Sequence, residues 1–467
     1  MSFGGPPPPR PPALRWSDLA GARVGLWGVR LEGLANLRRL RRLGVSPVLV
    51  DDRPAFDEVD GLAVLDGERG GHEALAGCEV VVKSPGISRY QPLARALAED
   101  GVALVGGLGL WLEGADRSRV CCITGTKGKS TTAALAGHLL EGLGYRTLVA
   151  GNIGQPPWDP DVPEDWDLWI VETSSYQATD LTSSPPVVAV TSLAPDHLDW
   201  HGGVETYYRD KLSACAQPGA VLTVADATSV ELRARAAMLG PEVRWVAEGD
   251  PALDGPWVDG LALPGRHYHR DALIARACLD GLGIAAAGDE ERLREAARGF
   301  SPLESRFRPI GTVRGVEFID DGLATNVLPT LAALEAMGDR PVALLVGGQD
   351  RGVDYAPLGR AVVERPAPTL VVALYEAGRR ARAAVEAAQG ARPSDGAGAP
   401  SSDVVLVDAP SVEAGTEAAF RWACTRPGAA VLLSPAAPSF GRFRNYKERS
   451  AAFAEAMRAC ARDVALS

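Results

Sequence analysis

The sequence predicts an α/β fold of three domains, each a mostly parallel sheet flanked by helices. Three observations predict it. Apolar runs rich in valine and leucine recur along the chain, each closing on glycine, proline or a carboxylate and leading into a helix-forming stretch, which is the pattern of βα units. The chain has 467 residues, and a prior of one domain per ~150 residues gives about three. One run, Val120–Ile123, enters the glycine-bracketed turn G-T-K-G-K-S-T-T of residues 125–132 and leaves into the helix former Ala133–Leu140. In that order of strand, loop and helix, backbone N–H groups and a helix N-terminus face a polyphosphate, a lysine adds a point charge and a hydroxyl can hold Mg2+. Boundaries are expected at 1–106, with a disordered Pro-rich tail over 1–14, then 107–302 and 303–467.

The first domain reads as Rossmann-like. Arg23–Trp27 is an apolar strand ending at Gly28, Gly33–Leu43 a helical run, and Pro47–Val50 a second strand that ends in Asp51-Asp52-Arg53. An acid at that place can accept hydrogen bonds from a ribose or a base, which makes Gly28, Asp51, Asp52 and Arg53 substrate-binding candidates. Gly25, Gly28 and Gly33 do not make G-x-G-x-x-G, so a plain β–α turn remains the competing reading. Glu79–Lys83 is a strand that runs into Ser84-Pro85-Gly86-Ile87. Ser84 thereby falls at the carboxyl edge where open α/β sheets bind ligands. Leu104–Asp116 reads as the crossing into the second domain.

The central domain is expected to be a P-loop ATPase domain, with ATP held by Gly125, Thr126, Lys127, Gly128, Lys129, Ser130 and Thr131. Only two residues separate its glycines, where the usual P-loop has four, so a structural glycine turn is the alternative. Thr147–Ala150 is a strand ending at Gly151-Asn152-Ile153-Gly154. Leu168–Glu172 puts a carboxylate at a strand tip, ahead of Thr173-Ser174-Ser175-Tyr176-Gln177. An acid beside a phosphate loop is the usual second anchor for Mg2+. Val187–Thr191 leads to Asp196-His197-Leu198-Asp199-Trp200-His201, either a metal cluster or a helix N-cap with solvated side chains. Lys211, in the helical run Tyr207–Leu212, passes as a surface lysine when taken alone.

The last domain repeats the doubly wound pattern and reads as Rossmann-like, with strands at Pro341–Val346 (ending in Gly347-Gly348), Thr369–Leu374 and Val404–Val407. Gly390–Asp403 reads as a surface insertion and Arg379–Arg382 as a solvated helix face.

Composition excludes several classes. A formal net charge of -11 without a basic block argues against nucleic acid as a partner. The seven cysteines (78, 121, 122, 215, 278, 424, 460) are scattered and lack C-x-x-C spacing, as free thiols of a reducing compartment are. No apolar segment has the length of a signal peptide or a membrane span. A cytoplasmic protein without membrane insertion is expected.

Several separated motifs, in order, resemble the Mur ligase family, the ATP-dependent amino-acid-adding ligases of peptidoglycan precursor synthesis. They are Gly125–Thr132, Gly151–Gly154, Glu172–Gln177, Asp196-His197, Lys211, Arg306-Phe307, Asp321 with Ala324-Thr325-Asn326, Gly347-Gly348 with Asp350-Arg351, and Leu433–Pro435. The likeness covers nearly the whole chain after the Pro-rich tail and is strongest to the glutamate-adding branch, whose acceptor is UDP-N-acetylmuramoyl-L-alanine.

The resemblance implies roles. Lys129, His197 and Lys211 would be catalytic. Lys129 would contact the β- and γ-phosphates, Ser130 or Thr131 and Glu172 would hold a first Mg2+, His197 a second, and Lys211 would take up CO2 as a carbamate. Asp271, beside Tyr268, would lie by the adenine, and Arg306 and Asp321 would reach the ATP. Asn152 would touch the muramoyl substrate; Ser174, Gln177 and Thr325 are further substrate contacts; Arg351, Ser439 and Tyr446 would meet the glutamate. The carboxylate of the acceptor would become an acyl phosphate that the glutamate amine attacks.

Three departures from the family pattern stand out, the first and third bearing on the amino acid and the second on the adenine. Asp321-Gly322-Leu323-Ala324-Thr325-Asn326 lacks the family's lysine after the aspartate, Tyr268 and Asp271 stand where two asparagines are usual, and Arg351 replaces a lysine. Together with Val82–Ser88, Asp196–Gly203 and Leu433–Phe440 they resemble the divergent branch that adds L-glutamate and depends on a separate epimerase; D-glutamate is the alternative. The expected partners are therefore small molecules, and a monomer suffices. Rivals are a folylpolyglutamate- or cyanophycin-type ligase, a P-loop binding module without ligation, and a dinucleotide oxidoreductase. The last leaves the lysine loop unused.

Overall fold

The computed structural model of the protein describes residues 10–261, 263, 266–391 and 403–465. Three six-stranded sheets lie within them. The first has strands β1 (Val24–Trp27), β2 (Val48–Asp51), β3 (Glu58–Val59), β4 (Leu62–Asp66), β5 (Val80–Lys83) and β6 (Ala103–Val105) in the order β3-β4-β2-β1-β5-β6. Only β3 against β4 is antiparallel. β1 and β5 are buried along their whole length, as strands covered by helices on both faces must be, and hence read as continuous apolar runs.

The second sheet is parallel throughout: β7 (Val120–Thr124), β8 (Thr147–Gly151), β9 (Leu168–Glu172), β10 (Val187–Val190), β11 (Leu222–Asp226) and β12 (Glu242–Val246), ordered β12-β11-β10-β7-β9-β8. Its register matters most. Thr124 pairs with Val190, Ile123 with Glu172 and Gly151 with Glu172, so the loops after β7, β8, β9 and β10 leave the sheet side by side. β7 lies where the strand order reverses, the place at which open sheets form a ligand crevice.

The third sheet comprises β13 (Arg308–Val313), β14 (Val316–Asp320), β15 (Val342–Gly347), β16 (Thr369–Leu374), β17 (Val404–Ala409) and β18 (Ala430–Leu433), ordered β13-β14-β18-β15-β16-β17, with β13 antiparallel to β14. Contacts divide the chain into two compact units, the main break lying at Phe300/Ser301 and the short stretch Leu263–His267 going with the second. The first and second sheets share one unit, and the third sheet forms the other.

Within the first unit one apolar cluster runs from Leu26 and Val82 to Val171 and Val190, so the two sheets share a core. Buried polar links reinforce it. The Asp180 carboxylate takes both Lys83 Nζ (2.6 Å) and Arg89 Nη1 (2.9 Å), and all three side chains are within 5% of full burial. Tyr90 donates its hydroxyl to Asp210 (2.7 Å) and Trp158 its indole N–H to Asn36 (2.7 Å).

Strand boundaries shift by one or two residues from the sequence reading, two helices start earlier, at Lys129 rather than Ala133 and at Val204 rather than Tyr207, and one stretch changes character. The stretch Leu104–Asp116 is not a plain crossing: Leu104 and Val105 finish β6, and Gly107–Gly114 is a helix. Of the expected Pro-rich tail, residues 1–9 lie outside the described residues, whereas Pro11 is buried and Leu14 packs against the core with Trp16 beyond it. Residues 392–402 of the expected surface insertion also lie outside them. Among the described residues no helix is long and apolar enough to cross a membrane.

Candidate active site

The loop after β7 is fixed by its own glycines and by the loop after β10. Gly125 has φ 137°, and a Cβ there would lie 2.1 Å from Thr191 Oγ1; Gly128 is left-handed at φ 88°, with Asp271 Oδ1 2.6 Å from where a Cβ would stand. Only glycine fits either place. Thr126 N–H donates to Ser192 O (2.8 Å), the Thr126 hydroxyl bonds Ala194 O (3.0 Å) and Tyr207 (2.9 Å), and Lys127 N–H donates to Ser192 Oγ (2.8 Å). Gly128 then caps the helix Lys129–Gly142, whose first turn buries Ser130 and Thr131. Partners from the loop after β10 and from Tyr207 thus fix the backbone, in a shape that suits a polyphosphate at a helix N-terminus.

Two lysines converge on one carbonyl. Lys129 Nζ donates to Gly125 O (3.0 Å) and Thr126 O (3.2 Å), and Lys211 Nζ, on the helix Val204–Leu212, donates to the same Gly125 O (2.8 Å). Lys211 is therefore no surface lysine. Burial, then the charge of Lys129, pushes its pKa well below the ordinary lysine value. Lys127 pairs with Asp196 (3.2 Å) at the mouth of the loop. A phosphate chain would meet three cations within one turn.

Glu172, at the tip of β9, is 1% exposed. Its Oε1 accepts from Asn152 Nδ2 (2.6 Å), and Asn152 N–H donates to Glu172 O (2.9 Å). Its Oε2 is buried without a hydrogen-bond partner. An orphaned anionic oxygen costs on the order of a few kcal/mol unless a cation or donor meets it. The donor set fits a hard divalent cation: one carboxylate oxygen, with hydroxyls from Ser130 and Thr131 in the first turn of the helix that follows the phosphate loop. Among the described residues no three His, Cys, Asp or Glu side chains cluster as a self-sufficient metal site, so the cation would complete its shell with phosphate oxygens and water, as Mg2+ does.

Among the described residues the Asp196–His201 segment forms no cluster of three ligating side chains, and its two histidines differ in exposure. The helix Leu198–His201 has no side-chain N-cap, and the rings of His197 and His201 both neighbour Tyr176. His197 is half-exposed, left-handed at φ 51°, and its ring lies tilted against Tyr176 (5.0 Å between ring centroids). Burial and the charges of Lys211, Lys127 and Lys129 hold its pKa low against the pull of Asp196, which favours the neutral imidazole that ligates metals. His201 is buried with both ring nitrogens engaged, Nδ1 to Asp210 (2.7 Å) and Nε2 to Ser175 Oγ (3.0 Å). It is a satisfied core histidine.

In the first sheet the register brings the ends of β1, β2 and β5 together. Ser84 Oγ donates to Gly28 O (2.8 Å). Asp51 accepts Val29 N–H and Arg53 N–H (both 2.9 Å), and Asp52 accepts from the Trp27 indole and pairs with His72 (both 3.1 Å). Both acids thus brace the turn. Ser174 and Gln177 form a reciprocal capping box on the helix Ser175–Ala178, and the Gln177 amide reaches on to Glu32 Oε2 (3.2 Å).

The second unit assembles its own cluster at the carboxyl ends of β14, β15 and β18. Asp321 is buried, accepts Phe307 N–H (3.2 Å) and Ser434 Oγ–H (2.7 Å), and burial pushes its pKa up to about 7. Arg306 stands between two non-glycine residues with positive φ, Ser305 (59°) and Phe307 (46°), a strained turn tied to Asp321. Asn326 caps the helix Val327–Ala336 through Leu328 N–H (3.2 Å), so Thr325 precedes a fixed N-terminus. Arg449, fully buried, donates to Gly347 O (3.4 Å), Ala437 O (3.0 Å) and Gly322 O (2.9 Å), binding together the loops that carry Arg351, Ser439 and Thr325. Arg351 is exposed, Ser439 buried and Tyr446 opens the helix Tyr446–Ala465.

Sequence reasoning missed Arg449, Glu32, Lys83, Asp180 and the Ser192 and Tyr207 partners of the phosphate loop. Their partners lie far off in the chain, 127 residues between Arg449 and Gly322 and 97 between Lys83 and Asp180, and no local spacing encodes such pairs.

Residues 123–253 match the Mur ligase middle domain. The chain is 38% identical to the "UDP-N-acetylmuramoyl-L-alanine--L-glutamate ligase" of Micromonospora sp., over 95% of this chain and 98% of that protein. It is 36% identical to the protein of the same name from Xanthomonas euvesicatoria, over 95% and 96%. Among solved structures, UDP-N-acetylmuramate-alanine ligase MurC of Thermotoga maritima aligns with a TM-score of 0.55 at 17% identity, covering 94% of this chain and 99% of that one, a likeness of fold. With the phosphate loop, the Glu172 tip and the buried lysine in place, and with full-length relatives at this identity, the chain belongs to the Mur ligase family.

Proposed function

We propose that the protein joins L-glutamate to UDP-N-acetylmuramoyl-L-alanine with ATP hydrolysed to ADP, as an amide ligase of peptidoglycan precursor synthesis. One observation carries the substrate assignment: relatives named for that reaction match at 36–38% identity along essentially their whole length. The site supports the chemistry. A carboxylate is a poor acyl donor, and activating it as an acyl phosphate gathers negative charge that Lys129, the amides of residues 125–131 and the helix N-terminus can offset in place. Glu172 and Ser130 would hold Mg2+, which when bound neutralises phosphate charge; His197 and a Lys211 carbamate would serve a second ion. The depressed pKa of Lys211 favours a neutral amine, the form that attacks CO2: a C–N bond forms and one proton leaves the nitrogen.

Gly28, Asp51, Asp52, Arg53, Ser84, Asn152, Ser174 and Gln177 are assigned to the UDP-sugar, and Thr325, Arg351, Ser439 and Tyr446 to the glutamate. Gly125–Thr131 and Asp271 are assigned to ATP, and a Cβ on Gly128 would meet Asp271. The domain limits 1–106, 107–302 and 303–467, a cytoplasmic monomer and an epimerase acting on the product complete the reading. Phosphate release from ATP, Mg2+ and UDP-N-acetylmuramoyl-L-alanine tests it, with L-glutamate in one reaction and D-glutamate in the other. Turnover with the L-isomer alone is expected; turnover with D-glutamate alone, or with neither, overturns the assignment.

A further inference from the structure

The residue that the described site leaves unexplained is Glu32, second in the helix Leu31–Arg42 that follows the Gly28 turn. Its Oε2 accepts from Gln177 Nε2 (3.2 Å), while its Oε1 is buried with no hydrogen-bond partner. The charged groups facing it are Lys83 at the end of β5 and Asp180 beyond the helix Ser175–Ala178. They act on Glu32 in opposite directions, and Lys83 is already ion-paired to Asp180. No cation is left to hold a carboxylate at Oε1, and burial above all pushes the Glu32 pKa up to about 8. The group is therefore a neutral acid with one unspent O–H, bonded to Gln177 and on the helix that follows Gly28, two residues assigned to the UDP-sugar.

We propose that Glu32 is a substrate-positioning residue whose Oε1 hydroxyl donates a hydrogen bond to a phosphoryl oxygen of the UDP-sugar, and that the ionised side chain repels it. The inference rests on the UDP-sugar reading above. It adds a selectivity by protonation state. An acid kept neutral by its surroundings can sit against a diphosphate that any ordinary glutamate would repel, and the helix N-terminus beside it favours the same anion.

The test is equilibrium binding of UDP-N-acetylmuramoyl-L-alanine by calorimetry from pH 6.5 to 9.5, for wild type, Glu32→Gln and Glu32→Ala, each with its melting temperature. Wild-type affinity is expected to hold to about pH 8 and then fall about tenfold per pH unit, the limit for loss of one required proton. Glu32→Gln, which keeps a donor and cannot ionise, is expected to bind with a flat profile. Glu32→Ala is expected to bind about tenfold or more weakly at pH 7. The same alkaline fall in wild type and Glu32→Gln, or unchanged affinity in a folded Glu32→Ala, overturns the role of Glu32 and leaves the ligase reading standing. No binding by wild type overturns both.

Discussion

The phosphate loop after β7 and the cluster at the carboxyl ends of β14, β15 and β18 occupy equivalent places on two doubly wound sheets, yet they are held in opposite ways. The first is built mainly from contiguous residues: glycines, Lys129 and the hydroxyls of the helix start all fall within residues 125–131, braced from elsewhere by Ser192, Ala194, Asp196, Tyr207 and Lys211. The second is gathered around one buried guanidinium, Arg449, that takes carbonyls from three separate loops. A site that binds polyphosphate needs backbone N–H groups in a row and so is encoded locally. A site whose loops come from three strands needs a fastener, and the fastener sits wherever the fold places it.

The comparison predicts that damage to the first region removes chemistry and damage to the second removes structure. The largest effect is expected for Lys211→Ala, which should abolish turnover without rescue by high bicarbonate while leaving the melting temperature near wild type; near-normal phosphate release would take Lys211 out of the mechanism. Glu172→Ala should lose Mg2+-dependent activity by about a hundredfold or more, as removal of a charge-stabilising group does, and gain slightly in stability because a buried orphan oxygen is gone. A fully active variant would break the metal assignment.

For the second region, Arg449→Met should destabilise the unit by about 3 kcal/mol or more, since three carbonyl oxygens lose a buried donor. Calorimetry reads this as a fall in the transition of residues 301–467, and an unmoved transition would show that the loops hold without the arginine. The smallest effect concerns Asp321. Its folded pKa is raised to about 7 by burial, so its contribution to stability is full below the ordinary carboxylate value and is lost as pH climbs through about 7. Asp321→Asn should flatten the melting temperature between pH 4 and 8 relative to wild type. Parallel curves for the two proteins would show that Asp321 does not titrate there.

This contrast also explains how much could be read from the chain alone. The three sheets, the phosphate loop and the Glu172 tip are each written in runs of about ten residues, in which strand periodicity and turn chemistry suffice. The burial of Lys211 was legible only through resemblance, because a lysine on a helix has no local mark of being inside. The Asp196–His201 stretch was ambiguous for a related reason: which way each histidine faces depends on Asp210, Ser175 and Tyr176, supplied by other elements. Glu32, one residue before a glycine that ordinary helix logic would simply pass over, became a candidate only when its unpartnered oxygen could be seen.

The pairing of Asp180 with both Lys83 and Arg89 has a consequence for anyone who would cut the gene. A fragment ending near residue 106 would keep two buried cations and lose their shared anion, while a fragment beginning there would inherit the anion alone. Each half would carry uncompensated charge at a surface meant to be dry, and would be expected to precipitate or stay unfolded. The chain can be divided near residue 300 with no such penalty from this triad, so expression of separate pieces should respect that joint and leave the first two sheets undivided.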